Sequence, residues 1–188
     1  MIQTQRIGIK FILKTAIIFC TLSAAFSFLG IFLAEKGPLG NPVGGITLYE
    51  IGGHVLWGFV FGSVTLSLRY TIVAGAFAVL IDSDHLIALT HIDALGRMSH
   101  SVSFGIIACL VLVLYGKKDW RLGAISFGAV LSHISFDIFA GDPLFPIFAP
   151  FYNHQISFSH ESWIYFELGA IIIVGIATLI HKKYKILS

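Results

Sequence analysis

The sequence predicts an all-α, polytopic membrane helix bundle with about six transmembrane helices, and three observations favour this fold class. Of the 188 residues, 56% are apolar and only 12% are charged, whereas about a quarter of the residues in a soluble domain are charged. The mean hydropathy is +0.88. The apolar residues form six stretches, and one transmembrane helix needs roughly 20 mostly apolar residues. The chain therefore has room for one integral membrane domain, residues 1–188, and for no separate soluble domain.

Glycine, proline and charged residues separate the apolar stretches. The stretches cover residues 11–34, 51–68, 71–90, 100–116, 122–140 and 163–180. Clustered glycines and prolines predict a loop over residues 37–45. Shorter turns follow at residues 69–70 and 117–121. A long loop, rich in proline and aromatic residues, starts at Gly141 and ends near Glu161.

The basic residues predict the orientation of the chain, because Lys and Arg are enriched in cytoplasmic loops. If both termini are cytoplasmic, ten of the twelve basic residues face inward: Arg6, Lys10, Lys14, Arg69, Lys117, Lys118, Arg121, Lys182, Lys183 and Lys185. Only Lys36 and Arg97 face outward. We therefore expect a multi-pass protein of the cell membrane, with the lipid bilayer as its main partner. The net charge of +2 is small, which argues against a nucleic-acid partner. The sequence does not indicate which proteins, if any, bind to it.

The first apolar stretch has a second interpretation. Lys10 and Lys14 precede it, and Ser23, Ala24 and Ala25 follow, as in a secretory signal. The apolar run continues to about Ala34, beyond the usual length of a signal core. We therefore expect a retained helix, with the signal peptide as the alternative.

Seven His and Asp side chains occur within the predicted helices. An Asp, Lys or Arg at the bilayer centre costs at least ~2.5–3.5 kcal/mol on insertion scales, so such residues usually have a function. With 1.5 Å of rise per residue, six of the seven lie about 16–24 Å from the cytoplasmic ends of four helices. These helices would bring His and Asp to one level in the outer half of the membrane. The seven are His54, Asp82, Asp84, His85, His100, His133 and Asp137.

The spacing of these residues favours a shared site. His133 and Asp137 are four residues apart, and Asp82 and His85 are three apart, so each pair shares a helix face. Asp84 would point elsewhere and either support a histidine or cap a broken helix end. Imidazole and carboxylate together suit a divalent transition metal, Zn²⁺ first, with Mn²⁺ or Fe²⁺ as alternatives. The competing interpretation is a proton relay or a hydrogen-bonded polar core without metal.

In this region the chain resembles the YdjM-type family of inner-membrane metal-dependent hydrolases. The shared pattern is His54, Asp-x-Asp-His at 82–85, Ser-His-Ser at 99–101, His-x-x-x-Asp at 133–137, and then a loop of Gly, Pro and aromatic residues. It covers residues 52–151 in the expected order. The family often has His-Arg shortly before the Ser-His-Ser motif, whereas this chain has Leu95 and Gly96 there, followed by Arg97.

The resemblance implies a metal-dependent hydrolase, and the predicted topology places its site near the extracytoplasmic face. We expect metal ligation by His54, Asp82, His85, His133 and Asp137. We expect His100 to be a ligand or the acid/base, and Asp84 to act as a base or to orient a ligand. A serine hydrolase is not expected, since no Gly-x-Ser-x-Gly motif is present.

The depth of the site suggests a lipid or lipid-linked phosphate substrate, with loop 141–162 as the lid. The aromatic residues of that loop are expected to enter the headgroup layer: Phe145, Phe148, Phe151, Tyr152 and Phe158. The alternative function is a non-enzymatic accessory subunit of a membrane complex, or an ion or proton translocator. Apolar inner halves of the helices argue against a path through the membrane.

Overall fold

Six α-helices form a bundle in the described part of the chain. The computed structural model describes residues 8–35, 37, 39 and 47–187, with side chains as far as residue 183. The helices are α1 (Ile9–Ser27), α2 (Leu48–Ser63), α3 (Leu68–Leu80), α4 (Val102–Tyr115), α5 (Trp120–Ala140) and α6 (Ser162–Leu187). Arg6, Lys36, the side chain of Lys185 and most of the predicted loop 37–45 lie outside the described residues.

Four helical segments are long and apolar enough to cross a membrane. They are Ile9–Phe32, Leu68–Thr90, Trp120–Ala140 and Ser162–Lys183. The predicted all-α membrane bundle is thereby confirmed. Helices α2 and α4 have 16 and 14 residues, which is shorter than the roughly 20 residues of a standard span. Helix α4 is shorter than predicted because Ser101 caps it, and the Ser101 side chain accepts a hydrogen bond from the Phe104 N–H.

Helix α5 is the central helix of the bundle. Of the residues in its apolar window, 83% are buried, against 28% for α6. It packs against α2, α3, α4 and α6. It begins after Asp119, whose side chain accepts from the Arg121 N–H, and it ends at Gly141, which has a left-handed φ of 102°. The polar residues of α5 are therefore enclosed by other helices.

Close helix contacts position the N-terminal half of α2. A Cβ on Gly58 would lie 2.6 Å from the Gly75 Cα of α3, so only glycine permits this approach. A Cβ on Gly53 would lie 2.0 Å from the ring of Phe136 in α5. Gly52, in contrast, faces open space. These contacts hold His54, the next residue, between α3 and α5.

The helix predicted over residues 71–90 changes its type. It is α-helical as far as Leu80 and continues as a 3₁₀ helix, Ile81–Thr90. Runs of 3₁₀ helix beyond 3–4 residues are uncommon. Helix α1 supports this segment, because the Ser23 Oγ donates to the Ile81 carbonyl at 2.6 Å and the Ser83 Oγ donates to the Cys20 carbonyl at 3.0 Å. A second, short 3₁₀ helix, Phe28–Phe32, follows α1.

The two ends of the bundle differ in their charges. At one end Tyr70 donates to the Asp119 carboxylate, Arg121 Nη2 lies 3.3 Å from the Tyr70 hydroxyl, and Arg69 lies over the ring of Phe11. These contacts bring the starts of α1, α3 and α5 together. The His and Asp residues lie at the other end, beside loop 141–162. That loop contains a two-stranded antiparallel sheet, Leu144–Phe145 with Ile156–Ser157. The side of the membrane on which each end lies stays a prediction.

Candidate metal centre

The Nε2 atoms of His100 and His133 lie 2.9 Å apart in the interior of the bundle. The Nδ1 of His133 is 2.6 Å from the Ala78 carbonyl, which can only accept a hydrogen bond. The Nδ1 of His100 is 3.2 Å from the Asp84 Oδ2. Each Nδ1 therefore donates, and each neutral imidazole presents an Nε2 lone pair. Two lone pairs directed at each other need a cation between them, either a proton or a metal ion.

The backbone explains why these two rings are held firmly. Ala78 lies in the last turn of α3, where the helix changes to 3₁₀ geometry. Its carbonyl oxygen accepts from the ring of His133. Asp84 is 1% exposed, and its Oδ2 also accepts from the Ser99 N–H at 3.1 Å. A histidine that ligates a metal is usually oriented by a carboxylate or carbonyl that accepts from its other ring nitrogen.

Two carboxylates complete a four-atom set around this point. The Asp82 Oδ1 lies 3.3 Å from the His133 Nε2 and 3.7 Å from the His100 Nε2. The Asp137 Oδ2 lies 3.5 Å and 3.6 Å from the same two nitrogens. Ligands held at about 2.0–2.1 Å in a tetrahedral zinc site are roughly 3.3–3.4 Å from one another. The distances from each carboxylate oxygen to the two nitrogens are thus close to the ligand separations of a tetrahedral zinc site.

His54 lies beside this set. Its ring stacks on the ring of His133, with centroids 3.8 Å apart and an angle of 3°. Its Nε2 lies 3.3 Å from the Asp137 Oδ1, 3.8 Å from the Asp82 Oδ2 and 3.9 Å from the Glu50 Oε2. His54 is 2% exposed. It therefore reaches the same two carboxylates from the other side.

His85 occupies the edge of the cluster. Its Nε2 lies 3.5 Å from the Asp84 Oδ1 and 3.7 Å from the Asp82 Oδ1. Residues i and i+3 nearly eclipse in a 3₁₀ helix, which explains why His85 follows Asp82 along one face. The His85 side chain is 35% exposed, so His85 is more accessible than the other histidines of the cluster.

A cavity of about 250 Å³ opens beside the cluster. It is lined by Glu50, His54, Asp82, His85, Arg97, Asp137, Ala140, Gly141 and Asp142. Arg97 donates to the Asp137 carboxylate and, at 2.7 Å, to the Asp142 Oδ2. Its guanidinium lies over the ring of Phe145 at 4.6 Å. Arg97 therefore connects the cluster to loop 141–162 and places positive charge on the cavity wall.

All seven residues expected in the site are brought together. His91, Asp93, His154 and His160 lie outside the candidate ligand groups of the described residues. Glu167 is buried between α5 and α6 but does not line the cavity. His100 was expected inside the fourth helix, about 24 Å from its cytoplasmic end, and instead lies just before α4. Asp84 was expected to support a histidine or to cap a broken helix end, and its carboxylate contacts both His100 and His85.

Two residues of the site were not recognised in the sequence as its members. Glu50 precedes His54 by four residues on α2, the same spacing that identified His133 and Asp137, so this signal was available. Arg97 was noted only as a departure from the family pattern. The structure places both residues on the cavity wall.

The expectation that all five loop aromatics enter the headgroup layer is wrong for Phe145. Phe145 is fully buried and stacks on His100, with centroids 5.9 Å apart. Phe158 packs against Phe145 and Phe166. Phe148 and Phe151 remain exposed, Phe151 at 90%. Phe145 and Phe158 therefore pack beside the site, whereas Phe148 and Phe151 are exposed on the surface of the protein.

The geometry shows a buried His and Asp cluster that could hold a metal ion. No protein-family model matches the chain, and neither does any curated protein or solved structure.

Proposed function

We propose that the protein is a membrane-embedded, metal-dependent hydrolase that holds Zn²⁺ between His100, His133, Asp82 and Asp137. The single observation that carries the proposal is the pair of opposed Nε2 atoms. Both Nδ1 atoms are occupied by acceptors, so the free lone pairs converge on one point. A shared proton would need only these two nitrogens. The two carboxylate oxygens at 3.3–3.7 Å from these nitrogens favour a metal ion instead, and a catalytic zinc ion would also need a coordination position open to water.

A bound zinc ion supplies Lewis-acid activation of an ester and makes a water molecule a good nucleophile at neutral pH. The protein groups around it have separate tasks. Asp84 and the Ala78 carbonyl fix the two imidazoles. His85 contacts Asp82 and Asp84 at the edge of the cluster from a more exposed position. Arg97 is suited to bind the negatively charged oxygens of a phosphate group.

The surroundings of the cavity suggest an amphiphilic substrate. The exposed apolar side chains of Phe148, Phe151, Leu86 and Leu89 lie in loop 141–162 and in the 3₁₀ segment, at the end of the bundle that holds the site. We propose that a lipid or a lipid-linked phosphate enters here from the outer headgroup layer. The ordered motifs that resemble the YdjM-type family support the same reaction class. The proposed location is the cell membrane, with the site toward the extracytoplasmic face.

A non-enzymatic accessory subunit or a translocator remains the second candidate. A translocator requires polar groups that continue toward the basic end of the bundle. The core on that side contains fully buried apolar side chains: Phe61, Val73, Phe77, Leu112, Leu122 and Ile125. This apolar layer favours the hydrolase over a translocator.

The test is a screen of lipid and lipid-phosphate substrates with purified, zinc-loaded protein. Turnover should disappear with a chelator and return when zinc is restored. Asp82→Asn, which removes a charge with little change in volume, should abolish it. The exposed Asp93 provides the matched control, and Asp93→Asn should be active. Absence of turnover, or equal turnover in Asp82→Asn, would reject the enzyme and favour the accessory subunit.

A further inference from the structure

Four donor atoms on the cavity side remain unused by the proposed zinc site. They are the Nε2 of His54, the Oδ2 of Asp82, the Oδ1 of Asp137 and the Oε2 of Glu50. The three oxygens lie 3.8, 3.3 and 3.9 Å from the His54 nitrogen. The zinc site uses the opposite oxygen of each aspartate. The carboxylates of Asp82 and Asp137 can therefore each direct one oxygen to the zinc site and the other oxygen to His54.

We propose a second divalent-cation site formed by His54, Glu50, Asp82 and Asp137, in which the two aspartates bridge the two metals. This inference rests on the proposed function, because the aspartates can bridge only if the first ion is bound. The stacked rings of His54 and His133 are 3.8 Å apart. Two-metal hydrolytic sites have metals about 3.5–4 Å apart, so one imidazole would serve each metal.

The charge of the cluster supports two ions. Glu50, Asp82, Asp84 and Asp137 contribute four carboxylates, and Asp142 balances Arg97 through its 2.7 Å contact. One divalent ion would leave two negative charges in a largely buried site, which is costly. A second divalent ion neutralises them. The described residues of the cavity wall offer no further Lys or Arg for this purpose.

The two sites should differ in affinity and in metal preference. His100 and His133 are fixed through their Nδ1 atoms, whereas the His54 Nδ1 has no hydrogen-bond partner among the described residues. The Glu50 side chain is 32% exposed. Ligands without such support bind metals more weakly. The second site has one nitrogen and three oxygens, a donor set that favours Mn²⁺ more than the two-nitrogen site does.

The experiment uses the full-length protein in detergent, loaded with Mn²⁺ or Zn²⁺, desalted and measured by elemental analysis. The wild type should hold two equivalents, Glu50→Gln close to one, and the control Glu161→Gln two. Glu161 is exposed and remote from the cavity lining, so it matches the chemical change without touching the site. Two equivalents in Glu50→Gln would overturn the assignment of Glu50.

The wild-type protein alone gives a second test that does not depend on a variant. Two Mn²⁺ ions joined by two carboxylates should give the electron paramagnetic resonance spectrum of a coupled pair, and isolated Mn²⁺ the spectrum of a single ion. A single-ion spectrum with one equivalent at full loading would overturn the second site but leave the proposed function. Zero equivalents would overturn both.

Discussion

His100 and His133 face each other through Nε2 atoms 2.9 Å apart, and each ring donates its Nδ1 proton to a different acceptor. The acceptors are Asp84 and the Ala78 carbonyl. Both lie in the helix that starts with α3 and continues as 3₁₀, whereas His100 precedes α4 and His133 lies in α5. The arrangement thus depends on three parts of the fold. It is stable only if a cation lies between the two lone pairs, and metal analysis distinguishes a metal ion from a shared proton.

Replacement of His133 tests this point most directly. His133→Ala removes one of the two converging nitrogens, so bound zinc should fall by more than the ~10–100-fold in affinity that loss of a supporting partner costs. The measurement is zinc content after loading and desalting. The control is His91→Asn, because His91 is exposed with φ 55° and Asn tolerates that conformation. Equal zinc in both variants would remove His133 from the site.

Asp84 should act through the orientation of His100. In Asp84→Asn the amide oxygen can still accept from the Ser99 N–H and the His100 Nδ1, because both contact the same Asp84 oxygen. A neutral amide accepts more weakly than a carboxylate, so His100 becomes a less firmly oriented and less basic ligand. Zinc affinity should fall about 10–100-fold, as measured by competition with a chelating dye. Asp93→Asn should not change it, and an unchanged affinity in Asp84→Asn would contradict the proposed orientation.

Two adjacent glycines of α2 should respond in opposite ways. Gly53→Ala places a Cβ 2.0 Å from the Phe136 ring, and such overpacking costs about 1–3 kcal/mol. Because Phe136 also contacts the His54 ring at 4.7 Å, metal binding at the proposed second site should weaken too. Gly52→Ala meets open space and should stabilise the helix by up to about 1 kcal/mol. Thermal unfolding in detergent compares the two, and a higher Tm for Gly53→Ala would refute the close contact.

Cysteine labelling tests the predicted orientation. In a background with Cys20 and Cys109 replaced by Ala, Lys182→Cys should react with a membrane-impermeant maleimide only after the cells are permeabilised. Phe151→Cys should react in intact cells. Both side chains are exposed, so accessibility within the protein does not limit the reaction. Labelling of Lys182→Cys in intact cells would reverse the topology.

Hydropathy and helical spacing predict most of the bundle and of the cluster. Six apolar stretches correspond to six helices, because burial in a membrane requires such stretches whatever their partners. The His133 and Asp137 pair follows from the i,i+4 rule, and the common level of the residues follows from the rise per residue. These properties are local and can therefore be seen in the sequence.

The remaining features depend on contacts between distant segments. The change to 3₁₀ helix after Leu80 occurs within a continuous apolar run and is supported by Ser23 of α1. The burial of Phe145 depends on the position of Arg97 and His100, and the role of Arg97 depends on loop 141–162. None of these partners is close in sequence, so spacing and composition cannot reveal them.

The donor atoms of the cluster are spread over residues 50–137, and this sets the order in which the site can be assembled during synthesis. The chain emerges from its N-terminus, so α2 and the 3₁₀ segment are made before α5. Until α5 packs between them, His133 and Asp137 are missing and only part of the ligand set is present. Uptake of a metal ion by the complete ligand set would therefore follow insertion of α5, and an ion bound at that stage would link segments synthesised early to segments synthesised late.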